Sequence, residues 1–275
     1  MPRWQMGRRV RSAPLHYRVH HGARQPAAPP LLLVHGAGGN LMHWPAALRR
    51  LPGHTIYALD LPGHGRSAGE SRRDIGAYAD AIRGFADALA LPPFVLAGHS
   101  MGGAVALEFA LRYGHAGGRL AGLILIATGA KLPVAPQIMS ALLQGAPGLP
   151  ELLASWAHGA SVDANLSRLY VRRLREVKPD VMRADYSACS AFDRSADVAC
   201  ITAPALIICG DADRMTPLEY SRTLADRLPH AQLVVAPGAG HMVMLEQPDF
   251  VAQHVATFLD GLAGSWQAQP RRTIG

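Results

Sequence analysis

The chain has 275 residues, 49 % of them hydrophobic, which is enough for one large buried core and excludes a disordered polymer. Its net charge of +7 is concentrated at one end, since eight arginines precede the first acidic residue, Asp60; with no zinc-finger or RNP pattern, this argues against a nucleic-acid partner. There is no apolar run of about 18 residues for a membrane span, no apolar stretch after the basic MPRWQMGRRVRS for a secretory signal, and no CxxC pairing of Cys189, Cys200 and Cys209 for a disulfide framework or metal site, so the expectation is a cytoplasmic protein with reduced thiols.

Residues 15–20 alternate as an edge strand does, and 22–30 form a proline-terminated loop. Short apolar runs ending in glycine or a polar residue follow at 31–36, 55–65, 94–100, 120–129, 205–211 and 232–241, and each predicts a buried strand. Helical spacing fills the gaps. Over 74–90, Ile75, Tyr78, Ala79, Ile82, Phe85, Ala86 and Leu89 make one stripe, with Asp74 at its N-terminus. Further helices are predicted over 102–113, 217–228 and 248–262, the second with Thr216 as N-cap and Pro217 at the first helical position. Apolar strands alternating with helices predict an α/β fold, a mostly parallel sheet covered on both faces, with ligands at the carboxyl ends of the strands.

The rhythm breaks between Gly129 and Ala205. That interval reads as four helices, near 135–144, 149–158, 163–177 and 179–192, with no convincing strand. It predicts a helical cap, residues 129–198, inserted into a core made of 1–128 and 199–275.

The most informative stretch is FVLAGHSMGGAVAL, residues 94–107, a strand that turns directly into a helix at Ser100. A Cβ at position 98 or 102 would crowd so sharp a turn, and both are glycine. Gly98-His99-Ser100-Met101-Gly102 fits the G-x-S-x-G nucleophile elbow, which holds the hydroxyl at the top of the sheet over a helix N-terminus. The plainer reading is that Ser100 caps that helix. A serine hydroxyl needs a base to react. Asp211 and Asp213 follow the fifth buried strand and His241 follows the sixth, so serine, acid and histidine all stand at strand carboxyl ends, in that chain order.

With HGAGGNLMHW (35–44), DLPGHGRS (60–67), GHSMGG (98–103), GDADRMTP (210–217) and GAGHMVMLEQPDFV (238–251), the chain resembles the α/β-hydrolase fold family over nearly its whole length. The resemblance implies Ser100 as nucleophile, His241 as base and Asp213, from the family's G-x-x-D-x-x-x-P pattern, as the acid. Asp211 falls too early in that pattern and is read as ordering its loop. The same match puts the oxyanion-binding backbone N–H groups on Ala37 and Met101. His35, His64 and His99 lie in family motifs and are read as ordering loops.

A serine nucleophile points to acyl transfer through an acyl-enzyme. Ile138, Met139, Leu142, Leu143, Leu152, Leu153 and Trp156 give the cap an apolar face, of which Met139, Leu143 and Trp156 are taken as substrate contacts. The expected activity is hydrolysis of small to medium carboxylic esters, with no cofactor and no metal. Arg168, Arg172, Arg173 and Arg183 keep open a carbon–carbon hydrolase acting on an acidic dienoate, and a non-catalytic receptor on the same fold is a reading from a different class. Nothing in the sequence bears on oligomeric state.

Overall fold

The computed structural model describes residues 15–22, 28–114, 119–160 and 162–267. His115 and the N-terminal arginines up to Arg11 lie outside them. Seven strands form one sheet: β1 (Tyr17–His20), β2 (Leu31–Val34), β3 (Ile56–Leu59), β4 (Phe94–His99), β5 (Leu120–Ile126), β6 (Ala205–Gly210) and β7 (Ala231–Ala236). Their spatial order is β1-β3-β2-β4-β5-β6-β7. Only β1 is antiparallel to its neighbour; every other pair is parallel. The strand ladders stop short of the apolar runs, β2 at Val34 and β3 at Leu59. The residues beyond them turn out of the sheet at its carboxyl edge, and these short loops carry the site.

The helices are α1 (Ala46–Arg49), α2 (Ile75–Ala88), α3 (Met101–Tyr113), α4 (Pro136–Gln144), α5 (Leu149–Ala157), α6 (Ala164–Arg175), α7 (Pro179–Ala191), α8 (Leu218–Arg227), α9 (Val243–Glu246) and α10 (Pro248–Gln267). Strand alternation divides the core in two. Leu32, Val34, Leu96, Leu123, Leu125 and Ile207 point to the face covered by α2, α3 and α8. Leu31, Leu33, Val95, Ile124, Ile126, Leu206 and Ile208 point to the face covered by α1 and α10. Asp74 caps α2 by accepting the Ala77 N–H at 2.9 Å.

Helices α4 to α7 all fall between β5 and β6. Most of their buried side chains, among them Ile138, Leu142, Leu153, Tyr170, Leu174, Met182 and Tyr186, join the second of the two core clusters, while Ala188 and Cys189 of α7 join the first. The cap therefore shares a hydrophobic core with the sheet instead of enclosing one of its own.

Candidate active site

Ser100 stands between β4 and α3 with φ 53° and ψ −118°, a backbone conformation that costs a non-glycine residue on the order of 1–3 kcal/mol. The surroundings leave it no alternative. Its N–H donates to Ile126 O at 2.9 Å, and its carbonyl accepts from Gly103 N at 2.8 Å and from Thr128 Oγ1 at 2.9 Å. A Cβ on Gly98 would fall 2.0 Å from Gly102 O, and one on Gly102 would fall 2.3 Å from Val34 O, so neither position tolerates a side chain. The Ser100 side chain makes no capping bond to α3, which removes the capping explanation for a serine at this corner.

Across the same carboxyl edge, His241 Nδ1 lies 2.9 Å from Asp213 Oδ2. Asp213 accepts from the backbone N–H groups of Met215 (2.8 Å) and Thr216 (2.9 Å) at Oδ1, and from the Thr216 hydroxyl (2.8 Å) at Oδ2. Burial raises its carboxyl, but the His241 ring and these hydrogen bonds outweigh burial and hold it below the ordinary carboxylate value. Two oxygens, Asp213 Oδ2 and Thr216 Oγ1, face His241 Nδ1, so Nδ1 carries the hydrogen and Nε2 is left as an acceptor. Thr216 is thus not the N-cap of α8; that place belongs to Pro217, and the hydroxyl is turned to the carboxylate instead. Asp211 is exposed and accepts the Gly238 N–H at 2.6 Å, which orders the loop that leads to His241.

Ser100 and His241 line one cavity of about 330 Å³, together with Gly36, Ala37 and His99 on the sheet side. No hydrogen bond joins Ser100 Oγ to His241 among the described residues; such contacts tighten when substrate is bound. The backbone N–H groups of Ala37 and Met101 have no hydrogen-bond acceptor among the described residues. His99 donates Nε2–H to His241 O at 2.9 Å, and its ring lies tilted against the His241 ring with centroids 4.8 Å apart. Its other nitrogen is buried without a partner, and burial, followed by the His241 ring, lowers the His99 pKa to about 3.

Helices α4 to α7 contribute Ile138, Trp156, Tyr170, Tyr186 and Cys189 to the cavity lining. Trp156 is where a substrate contact was expected. Met139 and Leu143 are not, and both expectations need correcting: Ile138 and Leu142 are the inward i, i+4 pair of α4, so each next residue is turned about 100° away. Leu143 is 69 % exposed, and Met139 packs against the edge of the core. Arg168, Arg172, Arg173 and Arg183 do not line the cavity either. Arg214 does, with its guanidinium 5.3 Å above the Trp156 ring. It lay inside a quoted motif, beside Asp213, but sequence spacing carries no sign of which way it points.

The sequence profile of the alpha/beta hydrolase family matches residues 31–254. A dihydrolipoyllysine-residue acetyltransferase component of an acetoin cleaving system, from Pseudomonas putida, is 33 % identical over 84 % of this chain, which spans 63 % of that longer protein. A protein provisionally named carbamate hydrolase RutD, from Caulobacter sp., is 30 % identical over 90 % of this chain and 97 % of its own length. A solved thermophilic esterase from Thermogutta terrifontis is 27 % identical, covers 90 % of this chain and 94 % of its own, and superposes with a TM-score of 0.80. A mostly parallel sheet with a strained serine at the β4–α3 corner, and a profile match across most of its length, make this chain a member of the alpha/beta hydrolase family.

Proposed function

We propose that the protein is a serine hydrolase acting on carboxylic esters of small to medium size, with Ser100 as nucleophile, His241 as general base and Asp213 as the acid that orients it. The observation that carries this reading is the Asp213–His241 hydrogen bond in the wall of the cavity that the strained Ser100 also lines. Ser100 Oγ attacks the ester carbonyl carbon while His241 Nε2 takes its proton. Asp213 holds Nδ1–H and stabilises the imidazolium so formed. The carbonyl oxygen, now an anion, meets the Ala37 and Met101 N–H groups, which have no other acceptor. Collapse expels the alcohol with the proton from His241; water repeats the sequence on the acyl-enzyme and releases the acid.

The mostly apolar lining of Ile138, Leu132, Val134, Trp156 and Met242 suits an uncharged acyl or alkyl group. A second reading is favoured by Arg214, the one arginine, lysine or carboxylate among the described lining residues: a substrate that also bears a carboxylate, as the dienoate of a carbon–carbon hydrolase does. The test has two parts. A fluorophosphonate is expected to label folded protein once, with the adduct on Ser100 by peptide mapping. A panel of p-nitrophenyl esters from acetate to palmitate, an aryl carbamate and a meta-cleavage dienoate then assigns the bond, and Arg214→Ala should selectively raise KM for substrates bearing a carboxylate. An adduct elsewhere overturns the mechanism, and absence of turnover on every substrate favours a receptor.

A further inference from the structure

Among the polar contacts between the cap and the sheet side, those of one carboxylate reach the loop after β2. Asp185, on α7, is completely buried. Its Oδ2 accepts the backbone N–H of Gly38 at 2.7 Å and lies 2.7 Å from His64 Nε2, and its Oδ1 accepts the Tyr78 hydroxyl at 2.6 Å. Along α7, Met182, Asp185, Tyr186 and Cys189 form an i, i+3, i+4, i+7 stripe. Tyr186 and Cys189 line the cavity, while Met182 and Asp185 lie against the loop after β2. That seat is tight: Gly38 has φ +61°, and a Cβ there would be 2.3 Å from Met182 Sδ.

Gly38 follows Ala37, so its N–H belongs to the peptide unit on one side of Ala37. The unit on the other side is held through Gly36 O, which accepts from Gly39 N at 3.0 Å and from His35 Nδ1 at 2.8 Å. His35 is itself fixed, because its Nε2 accepts the Leu61 N–H at 3.0 Å. Ala37 thus has both flanking peptides tied down and its own N–H unengaged. Of those ties, only the one to Asp185 comes from the cap. We propose that Asp185 is a positioning residue for catalysis, a cap carboxylate that aims the Ala37 N–H at the developing oxyanion and makes a docked α7 part of the oxyanion hole.

The charge on Asp185 is what suits it to this place. His64 meets two acceptors, Asp185 Oδ2 and, at 3.0 Å, Pro62 O, so the pair holds a proton between them and the ring has no nitrogen left for chemistry. A carboxylate can accept from Gly38, His64 and Tyr78 at once, each bond strengthened by charge. The other groups facing His64 include the His35 ring at 4.8 Å, the Tyr78 ring at 6.1 Å, His43 and the Asp60 carboxylate.

The inference rests on the reading of Ser100 as nucleophile and Ala37 N–H as oxyanion donor, and the experiment separates the two. Steady-state hydrolysis of p-nitrophenyl acetate is measured for wild type, Asp185→Ala, Asp185→Asn and Tyr78→Phe, alongside melting temperature and fluorophosphonate labelling. Asp185→Ala is expected to lower kcat by about 10²-fold with KM within about twofold, the size of effect that follows from a misplaced oxyanion donor. Asp185→Asn, which retains one acceptor oxygen for Gly38, should recover at least about tenfold of that loss, and Tyr78→Phe should show a smaller fall in kcat alone. If Asp185→Ala does not fold, the Asn and Phe variants decide. Variants that lose melting temperature but keep kcat overturn the proposal and leave Asp185 a packing residue. A wild type that is not labelled at Ser100 overturns the underlying reading and this one with it.

Discussion

Among the described residues two buried aspartates each hold a buried histidine, Asp213 with His241 at 2.9 Å and Asp185 with His64 at 2.7 Å. They differ in where their other partners come from. Asp213 draws its hydrogen bonds from Met215 and Thr216, in its own turn. Asp185 draws on Gly38 and Tyr78, 147 and 107 positions away in the chain. They differ also at the ring. His64 has an acceptor on each nitrogen, whereas His241 has partners at Nδ1 and none at Nε2 among the described residues. An Asp–His pair is therefore not reactive in itself. In the proposed mechanism, a free second nitrogen in a cavity shared with a hydroxyl is what would separate a base from a strut.

The sharpest way to break that comparison is to remove one ring at a time. His241→Ala and Ser100→Ala are each expected to slow ester turnover by about 10⁶, and the double variant by no more than either alone, because the two act as one unit. His64→Ala should fall far short of that, since its ring takes no proton from the substrate. Steady-state rates on one p-nitrophenyl ester check all four, and comparable losses at His64 and His241 would erase the distinction.

Within the Asp213 turn the next effect is smaller. Asp213→Asn is expected to leave the fold intact and lower kcat by about 10⁴, by analogy with other triads in which the histidine is left in the wrong tautomer. Asp211→Asn should cost much less, because Asp211 is exposed and holds only the Gly238 N–H. The ratio of the two kcat values tests which aspartate serves His241.

These two turns also mark what a sequence can reveal. Ser100, Asp213 and His241 were legible as candidates because each follows an apolar strand, and strand ends of a parallel sheet converge; β7, before His241, is only half-buried, against the buried strand expected there. The turn of Asp213 is closed by residues within three positions, so a short motif carries it. Asp185 has no such signature: its partners are distant in sequence, and it sits mid-helix among apolar residues like any surface acid. The four cap helices were readable from proline, glycine and spacing, but their facing was not. An apolar count cannot tell Leu142 from Leu143, which lie about 100° apart on one turn of α4. Thr216 was misread for a related reason, since a threonine before Pro-Leu resembles an N-cap whether its hydroxyl turns to the helix or to Asp213.

The cap gives a comparison at the level of single side chains. Trp156→Ala and Tyr170→Ala, which enlarge the cavity, are expected to change the preference between long and short esters by about 1–3 kcal/mol in kcat/KM. Leu143→Ala should leave the chain-length profile at its parent value, because that side chain faces solvent. A shifted profile for Leu143→Ala would mean that the cap approaches substrate by a different face.

The smallest effect concerns stability, and here the two regions should respond to pH with opposite sign. Burial lowers His43 to about 4, with the Arg173 charge adding to it, and lowers His99 to about 3. The unfolded chain takes up these protons near the ordinary histidine value of 6.5, while the native rings stay neutral until about 4 or below, so stability falls as pH drops through that window. Asp213 adds to the acid-side loss, its carboxyl being held below 3.8 in the native state. His64 runs the other way. Burial lowers its pKa, but Asp185 outweighs burial and raises it above 6.5, so its contribution is complete below that pH and is lost as pH rises through the raised value. Melting temperature measured from acid to alkaline pH should therefore pass through a maximum. His43→Gln should flatten the acid limb only, and Asp185→Asn the alkaline limb only. A wild-type profile that stays level below neutrality would mean that His43 and His99 titrate as they do in water, and that burial does not hold these two rings neutral.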